Sequence, residues 1–143
     1  MSADALQPVL AAEHATLWVL SALAARVSEQ AQPTLRAALA AAYDEHRDRR
    51  DWLTPRITEL GDEPAAAAPA YELPATAEQP RALAEAALRV ERTCSAIYAQ
   101  AVAETSGDDR AWAIQALTES AVRELSFNGS PSDFPGLDEL TNR

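Results

Sequence analysis

The feature that most constrains this fold is an ionisable residue near the middle of each of four apolar helical stripes. The residues are Glu13 in the first stripe, His46 in the second, Glu91 in the third and Glu119 with Arg123 in the fourth. Burying an unpaired charge costs several kcal/mol or more. If the four stripes meet at one axis, these residues therefore need charged partners or a metal ion.

The composition favours helices over strands. Only four of the 143 residues are glycine, and 48% are hydrophobic, with long runs of Ala, Leu, Glu and Arg that have high helix propensity. The length suits one domain with a single core. We therefore expect one all-α domain that spans residues 1–143.

Apolar residues at three- and four-residue spacing predict the helices. The predicted ranges are about 4–28, 33–60, 78–105 and 108–127, followed by a tail over 128–143. Pro33 suits the first turn of the second helix, and Gly61 predicts its end. Thr76 and Gln79 resemble a capping box before the third helix, and Asp108 or Asp109 is expected to cap the fourth.

A proline-rich segment, residues 62–75, separates the second and third helices. Its three prolines and its lack of apolar periodicity argue against a continuous helix. The segment predicts a long crossover between two antiparallel helix pairs, from one end of a four-helix bundle to the other. A disordered linker between two helical hairpins is the alternative. The tail has two buriable apolar residues, Phe134 and Leu137, and we expect it to lie across the bundle.

Charge and composition limit the partners and the location. The net charge of -10 disfavours nucleic-acid binding, and the start of the chain lacks the pattern of a signal peptide. No run of about 18 uncharged apolar residues predicts a membrane span. A single cysteine, Cys94, fits a reducing compartment. We expect a cytoplasmic protein that binds neither nucleic acid nor membrane.

The familiar signatures of several enzyme classes are missing from the sequence. It has no glycine-rich phosphate loop, no nucleophile elbow and no Cys/His zinc spacing. Trp18, Trp52 and Trp112 lie among apolar neighbours and are expected to be core or subunit contacts. Whether the chain is an enzyme stays open, and these observations favour a non-enzyme.

The charged residues match a di-metal site only in part. Di-metal four-helix bundles use a glutamate from each of two helices and a Glu-x-x-His pair from each of the other two. Glu13, Glu91 and Glu119 can serve as three of these carboxylates. However, Tyr43 stands where the acid partner of His46 belongs, and Val122 stands where the histidine partner of Glu119 belongs. Two of the six ligands are therefore missing.

Six segments together resemble a known family. They are AAEHA (11–15), HRDRRD (46–51), AYELP (70–74), RVERTCSAIYAQAV (89–102), AVRELSF (121–127) and FPGL (134–137). In order and spacing they resemble the ferritin-like domain family of unknown function found in high-GC Gram-positive bacteria. The resemblance covers nearly the whole chain. It implies a ferritin-like four-helix bundle and supplies no biochemical role.

The first hypothesis for the charged layer is a metal-free network of ion pairs. In this interpretation the three glutamates pair with Arg123 and with either Arg49 or Arg50, while His46 adds hydrogen bonds. Guanidinium groups are good partners for buried carboxylates. The chain would then be a structural or binding module without a cofactor. We expect it to form a homodimer, because its alanine-rich helices leave apolar surface uncovered.

The alternative is a metal site that departs from the ferritin pattern. Its ligands would be Glu13, His14, His46, Glu91 and Glu119, a mixed set that suits iron or manganese. The chain would then be an oxidoreductase or a metal-handling protein. A third hypothesis is that the charged cavity holds a small organic ligand.

Overall fold

The computed structural model describes residues 2–73, 78–129 and 131–137. These residues form four α-helices and no strand. The helices are α1 (Gln7–Ala25), α2 (Pro33–Glu59), α3 (Pro80–Glu104) and α4 (Gly107–Ser126), preceded by a 3₁₀ turn at Ala3–Ala5. The all-α prediction is confirmed for the described residues.

The helix ends differ from the predicted ends for local reasons. The main helix α1 begins at Gln7, because the preceding residues form a separate 3₁₀ turn and Pro8 belongs to the first turn of α1. At the end of α2, Gly61 has a φ of 88° and confirms the predicted stop. The predicted cap of α4 by Asp108 or Asp109 is wrong: Ser106 is the N-cap residue, and both aspartates lie in the first turn.

Two hydrophobic clusters form the ends of the bundle. One joins the start of α1, the end of α2, the end of α3 and the start of α4, through residues such as Leu10, Ile57, Tyr98 and Ala113. The other joins the opposite ends of the same helices. Helices α1 and α2 therefore run antiparallel, as do α3 and α4, whereas α2 and α3 run parallel to each other. Parallel neighbours require a connection as long as the bundle.

The α2–α3 connection follows α1. Near its beginning, Gln7 Nε2 donates to the Glu63 carbonyl at 2.7 Å, and Ala65 N donates back to Gln7 Oε1 at 2.9 Å. Further along, the Tyr71 ring lies 6.1 Å from the Trp18 ring. The predicted capping residue Thr76 lies outside the described residues. Between Asp62 and Leu73 the connection thus runs along α1 instead of looping into solvent.

The C-terminal tail is anchored by a glycine. Gly136 is buried with a φ of 82°, and a Cβ atom there would lie 2.5 Å from the Ser95 carbonyl oxygen on α3. The tail lies against α3 at this point, but Phe134 and Leu137 are 71% and 47% exposed, so these two apolar side chains are not buried there. The segment is held by close approach of its backbone at Gly136 to the backbone of α3, rather than by burial of apolar side chains.

By length and composition alone, the segment Ala3–Ala25 is apolar enough to cross a membrane. It also contains Asp4 and Glu13. In the structure this segment is a core helix, with Leu10, Leu20 and Leu23 fully buried. That burial is an alternative reason for its apolar composition.

Candidate functional site

A polar layer lies between the two hydrophobic clusters, and each helix contributes at least one fully buried side chain to it. These side chains are Glu13 from α1, His46 from α2, Glu91 and Tyr98 from α3, and Ser120 from α4. Each belongs to an inward-facing stripe of its helix, with apolar core residues on both sides along the chain. We call these five residues, together with Arg49, the central layer.

His46 is the hub of the central layer. Its Nδ1 lies 2.6 Å from Glu13 Oε2, and its Nε2 lies 3.1 Å from Glu91 Oε1. A carboxylate only accepts hydrogen bonds, so both ring nitrogens donate and the ring is an imidazolium. Burial opposes the charge and lowers the pKa of His46, but the bonds to Glu13 and Glu91 outweigh it and raise the pKa to about 9.

The two carboxylates have further donors. The Tyr98 hydroxyl donates a hydrogen bond to Glu13 Oε1. On the other side, the Ser120 hydroxyl lies 2.6 Å from Glu91 Oε2 and donates to it. Burial opposes ionisation of Glu91, but its contacts with His46 prevail, with help from Ser120, and lower its pKa below the ordinary value.

Arg49 supplies the second positive charge. Its side chain is 5% exposed; Nη1 donates to the Tyr98 hydroxyl at 3.2 Å, and Nη2 donates to Glu119 at 3.1 Å. The guanidinium carbon also lies 5.2 Å from the Tyr98 ring centre, a cation–π distance. Its Nε has no hydrogen-bond partner within the described part of the chain. Two cations, His46 and Arg49, thus balance the two buried carboxylates.

The other predicted layer residues lie at or beyond its edge. Glu119 is 42% exposed and reaches the layer only through Arg49. Arg123 pairs with Glu45 on α2, and Arg50 pairs with its neighbour Asp51 at 2.7 Å. Of the two alternatives Arg49 and Arg50, Arg49 therefore belongs to the central layer, whereas the predicted Arg123 lies outside it. His14 bonds the Ala65 carbonyl at 2.9 Å, away from the layer.

Three buried polar residues of the structure are not among the predicted site residues: Tyr98, Ser120 and Asp109. Tyr98 lies two helical turns from Glu91 on the same face of α3, within an otherwise mostly apolar stripe. Ser120, rather than its neighbour Glu119, faces inward on α4. Asp109 is buried and accepts two bonds from Arg56, at 2.7 and 3.1 Å, which tie α2 to α4 at one end of the bundle.

The side chains of the central layer are engaged with one another. Both nitrogens of His46 are engaged by carboxylates, so neither presents a lone pair to a metal. The donors that surround Glu13 are a hydroxyl and an imidazolium. Across residues 2–73, 78–129 and 131–137, no group of three or more His, Cys, Asp or Glu side chains is arranged to hold a metal ion.

A second feature is an open groove between α1 and α3, with a volume of about 540 Å³. Its walls are mostly small or branched apolar side chains, including Ala15 and Val90, with Leu73 from the α2–α3 connection. Cys94 also lines the groove, and its thiol lies 3.2 Å from the Thr16 hydroxyl. Burial raises the pKa of the Cys94 thiol well above its ordinary value, so the thiol is a poor nucleophile.

The sequence from residue 5 to residue 139 matches the model of a domain family of unknown function, DUF4439. This chain belongs to the DUF4439 family. A crystal structure of a conserved hypothetical protein from Mycobacterium tuberculosis is similar to this DUF4439 chain, with 32% sequence identity and a TM-score of 0.80. The similarity covers 87% of this chain and 92% of the mycobacterial one. No curated protein matches the chain.

Proposed function

We propose that this DUF4439 chain is a metal-independent binding module built on a ferritin-like four-helix bundle. The observation that carries the proposal is His46, whose two ring nitrogens each donate to a carboxylate from a different helix. The imidazolium and the Arg49 guanidinium occupy the position where ferritin-like bundles hold cations. The central layer fixes the register of the helices, and binding takes place elsewhere.

The ferritin-like assignment is supported by the order of the helices. Antiparallel pairs α1–α2 and α3–α4 are joined by a connection that runs along α1, so that α2 and α3 are parallel. A long crossover of this kind is the ferritin-like variant of the four-helix bundle. The inward-facing acids Glu13 on α1 and Glu91 on α3 are also expected in a ferritin-like bundle.

The metal-independent part of the proposal is tested by metal loading. We expect purified protein to carry only substoichiometric iron and manganese after loading and desalting, measured by elemental analysis. The alternative is a carboxylate and histidine metal site that supports oxidoreductase or metal-handling activity. Stoichiometric metal that is lost in Glu13→Gln and retained in the surface variant Glu85→Gln would support this alternative and refute our proposal.

The groove between α1 and α3 is our proposed binding site. Its volume of about 540 Å³ lies within the usual range for small-molecule pockets, about 300–1,000 Å³. An aliphatic body matches the apolar walls. The charged residues of the lining are Glu72 and Arg89, and Arg89, an exposed cation, matches an anionic head group. We therefore propose an amphiphile with a single carboxylate or phosphate as the ligand.

Binding can be measured with a medium-chain fatty acid as the probe, by native mass spectrometry and calorimetry. We expect binding to wild type to weaken in Arg89→Glu and to disappear in Ala15→Trp, which fills the groove. Arg81→Glu is the matched control, because Arg81 is an exposed cation on the same helix and does not line the groove. Equal binding by all four proteins would exclude the groove as the site.

We also propose that the chain forms a homodimer through the outer face of α4. Ile114, Val122 and Leu125 on this face are 48%, 61% and 49% exposed. In an antiparallel pairing of two α4 helices centred on Thr118, Ala111 would face Leu125 and Ile114 would face Val122. The small Ala111 then opposes the large Leu125, and the β-branched Ile114 and Val122 meet nearer the centre, so apolar side chains contact each other along the pairing. A second copy of the chain is thus the occupant that we propose for this face.

The cytoplasm is our proposed location. Cys94 is buried as a free thiol, which agrees with a reducing compartment. Fractionation of cells that express the tagged protein tests this proposal, and recovery in the membrane or secreted fraction would contradict it.

A further inference from the structure

Three aromatic side chains connect the surface of the bundle to the central layer. Trp52 on α2 stacks on Trp112 on α4, with ring centres 4.5 Å apart and planes 6° apart. The edge-to-face partner of Trp112 is Tyr98, with ring centres 6.4 Å apart. Both tryptophans are partly buried, whereas Tyr98 is fully buried. An electron can therefore pass between the surface and Tyr98 through aromatic rings in contact.

Trp52 gives this aromatic chain its access to solvent. It lines an open surface depression of about 370 Å³, together with Arg56, Glu59 and Asp108. The protein as a whole carries a net charge of -10, which attracts cationic reagents. A cationic oxidant in solution can thus reach the outer end of the aromatic chain without entering the core.

At the inner end, the Tyr98 hydroxyl already has a proton acceptor. It donates to the Glu13 carboxylate, while Arg49 Nη1 donates to the phenol oxygen at 3.2 Å. A phenol that loses an electron becomes a very strong acid, so its oxidation is favourable only where a base takes the proton. Tyr43 and Tyr71 are the other two tyrosines of the chain. Neither has a hydrogen bond to a carboxylate within the described residues.

We propose that Tyr98 is a redox-active tyrosine that passes one electron through Trp112 and Trp52 to a one-electron oxidant at the surface. The oxidant first takes an electron from the tryptophan pair and leaves a tryptophan radical cation. Tyr98 then reduces this radical cation, its O–H bond breaks, and the proton moves to Glu13 Oε1. The products are a neutral tyrosyl radical, a protonated Glu13 and the reduced oxidant. A one-electron donor such as a small thiolate reverses the step: the thiolate becomes a thiyl radical, and the proton returns from Glu13 to the phenol oxygen.

This activity is distinct from ligand binding in the α1–α3 groove, because neither tryptophan nor Tyr98 lines the groove. It is also independent of any metal in the protein. The class of co-substrate is a diffusible one-electron oxidant, such as a peroxyl radical or an oxidised metal complex.

The test uses laser flash oxidation of the full chain by a photo-oxidised ruthenium polypyridyl cation, followed by transient absorption and by electron paramagnetic resonance of frozen samples. We expect a tryptophan radical that decays as a tyrosyl radical rises. Tyr98→Phe should lose the tyrosyl signal, whereas the matched controls Tyr43→Phe and Tyr71→Phe should keep it. A tyrosyl signal that survives in Tyr98→Phe, or one that is lost in either control, overturns the proposal.

Two further variants separate the path of the electron from that of the proton. Trp112→Phe should lower the yield of the tyrosyl radical, because it breaks the stack between Trp52 and Tyr98. In Glu13→Gln the tryptophan radical should form as before but persist, because the amide does not accept the proton. Circular dichroism establishes that each variant is folded. Unchanged tyrosyl kinetics in both folded variants would refute the proposed route.

Discussion

At the scale of single residues, Glu13 shows how the protein tolerates a fully buried charge. Its two oxygens accept from Tyr98 and from His46, and His46 is in turn held by Glu91. Buried ion networks contribute little net stability compared with apolar packing, but loss of one member leaves another charge without a partner. The effects of substitution should therefore depend on whether the new side chain can still form hydrogen bonds.

The first prediction compares two substitutions of Glu13. Glu13→Ala should lower the free energy of unfolding by about 3–5 kcal/mol, because it leaves His46 Nδ1 and the Tyr98 hydroxyl without an acceptor in the core and removes one of two buried negative charges. Glu13→Gln should cost less, since its amide oxygen still accepts one hydrogen bond. Urea denaturation measures both, with the exposed Glu85→Ala as a control that changes little. Equal and negligible effects of the two Glu13 variants would contradict the network.

The second prediction concerns pH and follows from His46. Its pKa is 6.5 in the unfolded chain and about 9 in the fold, so its stabilisation is complete below pH 6.5 and is lost as the pH rises towards 9. A shift of this size corresponds to roughly 3 kcal/mol. The lowered pKa of Glu91 acts in the opposite direction, and its stabilisation is lost as the pH falls below about 4.5.

Maximum stability is therefore expected between about pH 4.5 and 6.5. Denaturant midpoints measured across the pH range test this expectation. The decline in stability above pH 6.5 should disappear in His46→Gln. It should persist in His14→Gln, which replaces the other histidine of the chain. A decline that survives in His46→Gln would assign it to another group.

At the scale of the helices, apolar spacing located the inward faces of α1 and α2 well and that of α4 poorly. Glu13 and His46 lie within runs of leucine and alanine at regular spacing, so their direction could be read from the sequence. In the middle of α4 the buried stripe is Ala113, Ala116 and Ser120, all small residues, and the buried acids Asp109 and Glu124 lie at its two ends. The larger side chains suggest a different inward face, but Trp112 lies at the edge of the core and Val122 lies on the outer surface of the bundle.

The partners within the central layer could not be derived from helical spacing. Arg49 and Arg50 are adjacent and chemically identical, and only the packing of α2 against α3 determines which one meets Tyr98. The same holds for Tyr98, because an aromatic residue in an apolar stripe gives no sign that its hydroxyl has a polar partner. Pairings between helices depend on rotation and register, which a single sequence does not encode locally.

The third prediction uses two glycines with similar backbone angles. Gly61 and Gly136 have φ values of 88° and 82°, but only Gly136 faces neighbouring atoms, at the Ser95 carbonyl. Gly61→Ala should cost about 1–2 kcal/mol for the left-handed backbone alone. Gly136→Ala adds a steric clash and should release the tail, which limited proteolysis near Phe134 detects. Equal protection of the tail in both variants would contradict the proposed anchor.

At the scale of the whole molecule, the distribution of charge affects assembly. Each chain carries a net charge of -10, so two chains repel each other at long range. The outer face of α4 carries the exposed apolar residues Ile114, Val122 and Leu125. Association through this face should therefore become stronger as salt screens the repulsion.

The fourth prediction tests that association. Val122→Glu should convert the dimer to a monomer in sedimentation velocity experiments, because it places a charge in the apolar interface. Ala40→Glu, at an exposed position on α2, is the matched control and should leave the dimer intact. A wild-type chain that stays monomeric at high protein and salt concentration would refute the dimer.

The division of the central layer between the two helix pairs has a consequence for folding. The bond from His46 to Glu13 lies within the α1–α2 hairpin, and the bond from Ser120 to Glu91 lies within the α3–α4 hairpin. The bonds from His46 to Glu91 and from Tyr98 to Glu13 form only when the hairpins meet. Each hairpin can thus assemble quickly through local contacts, while their docking waits for two charged surfaces to shed water in the correct alignment. Hairpins that dock in the wrong alignment leave buried charges without partners. The central layer therefore disfavours misaligned docking at the last step of folding.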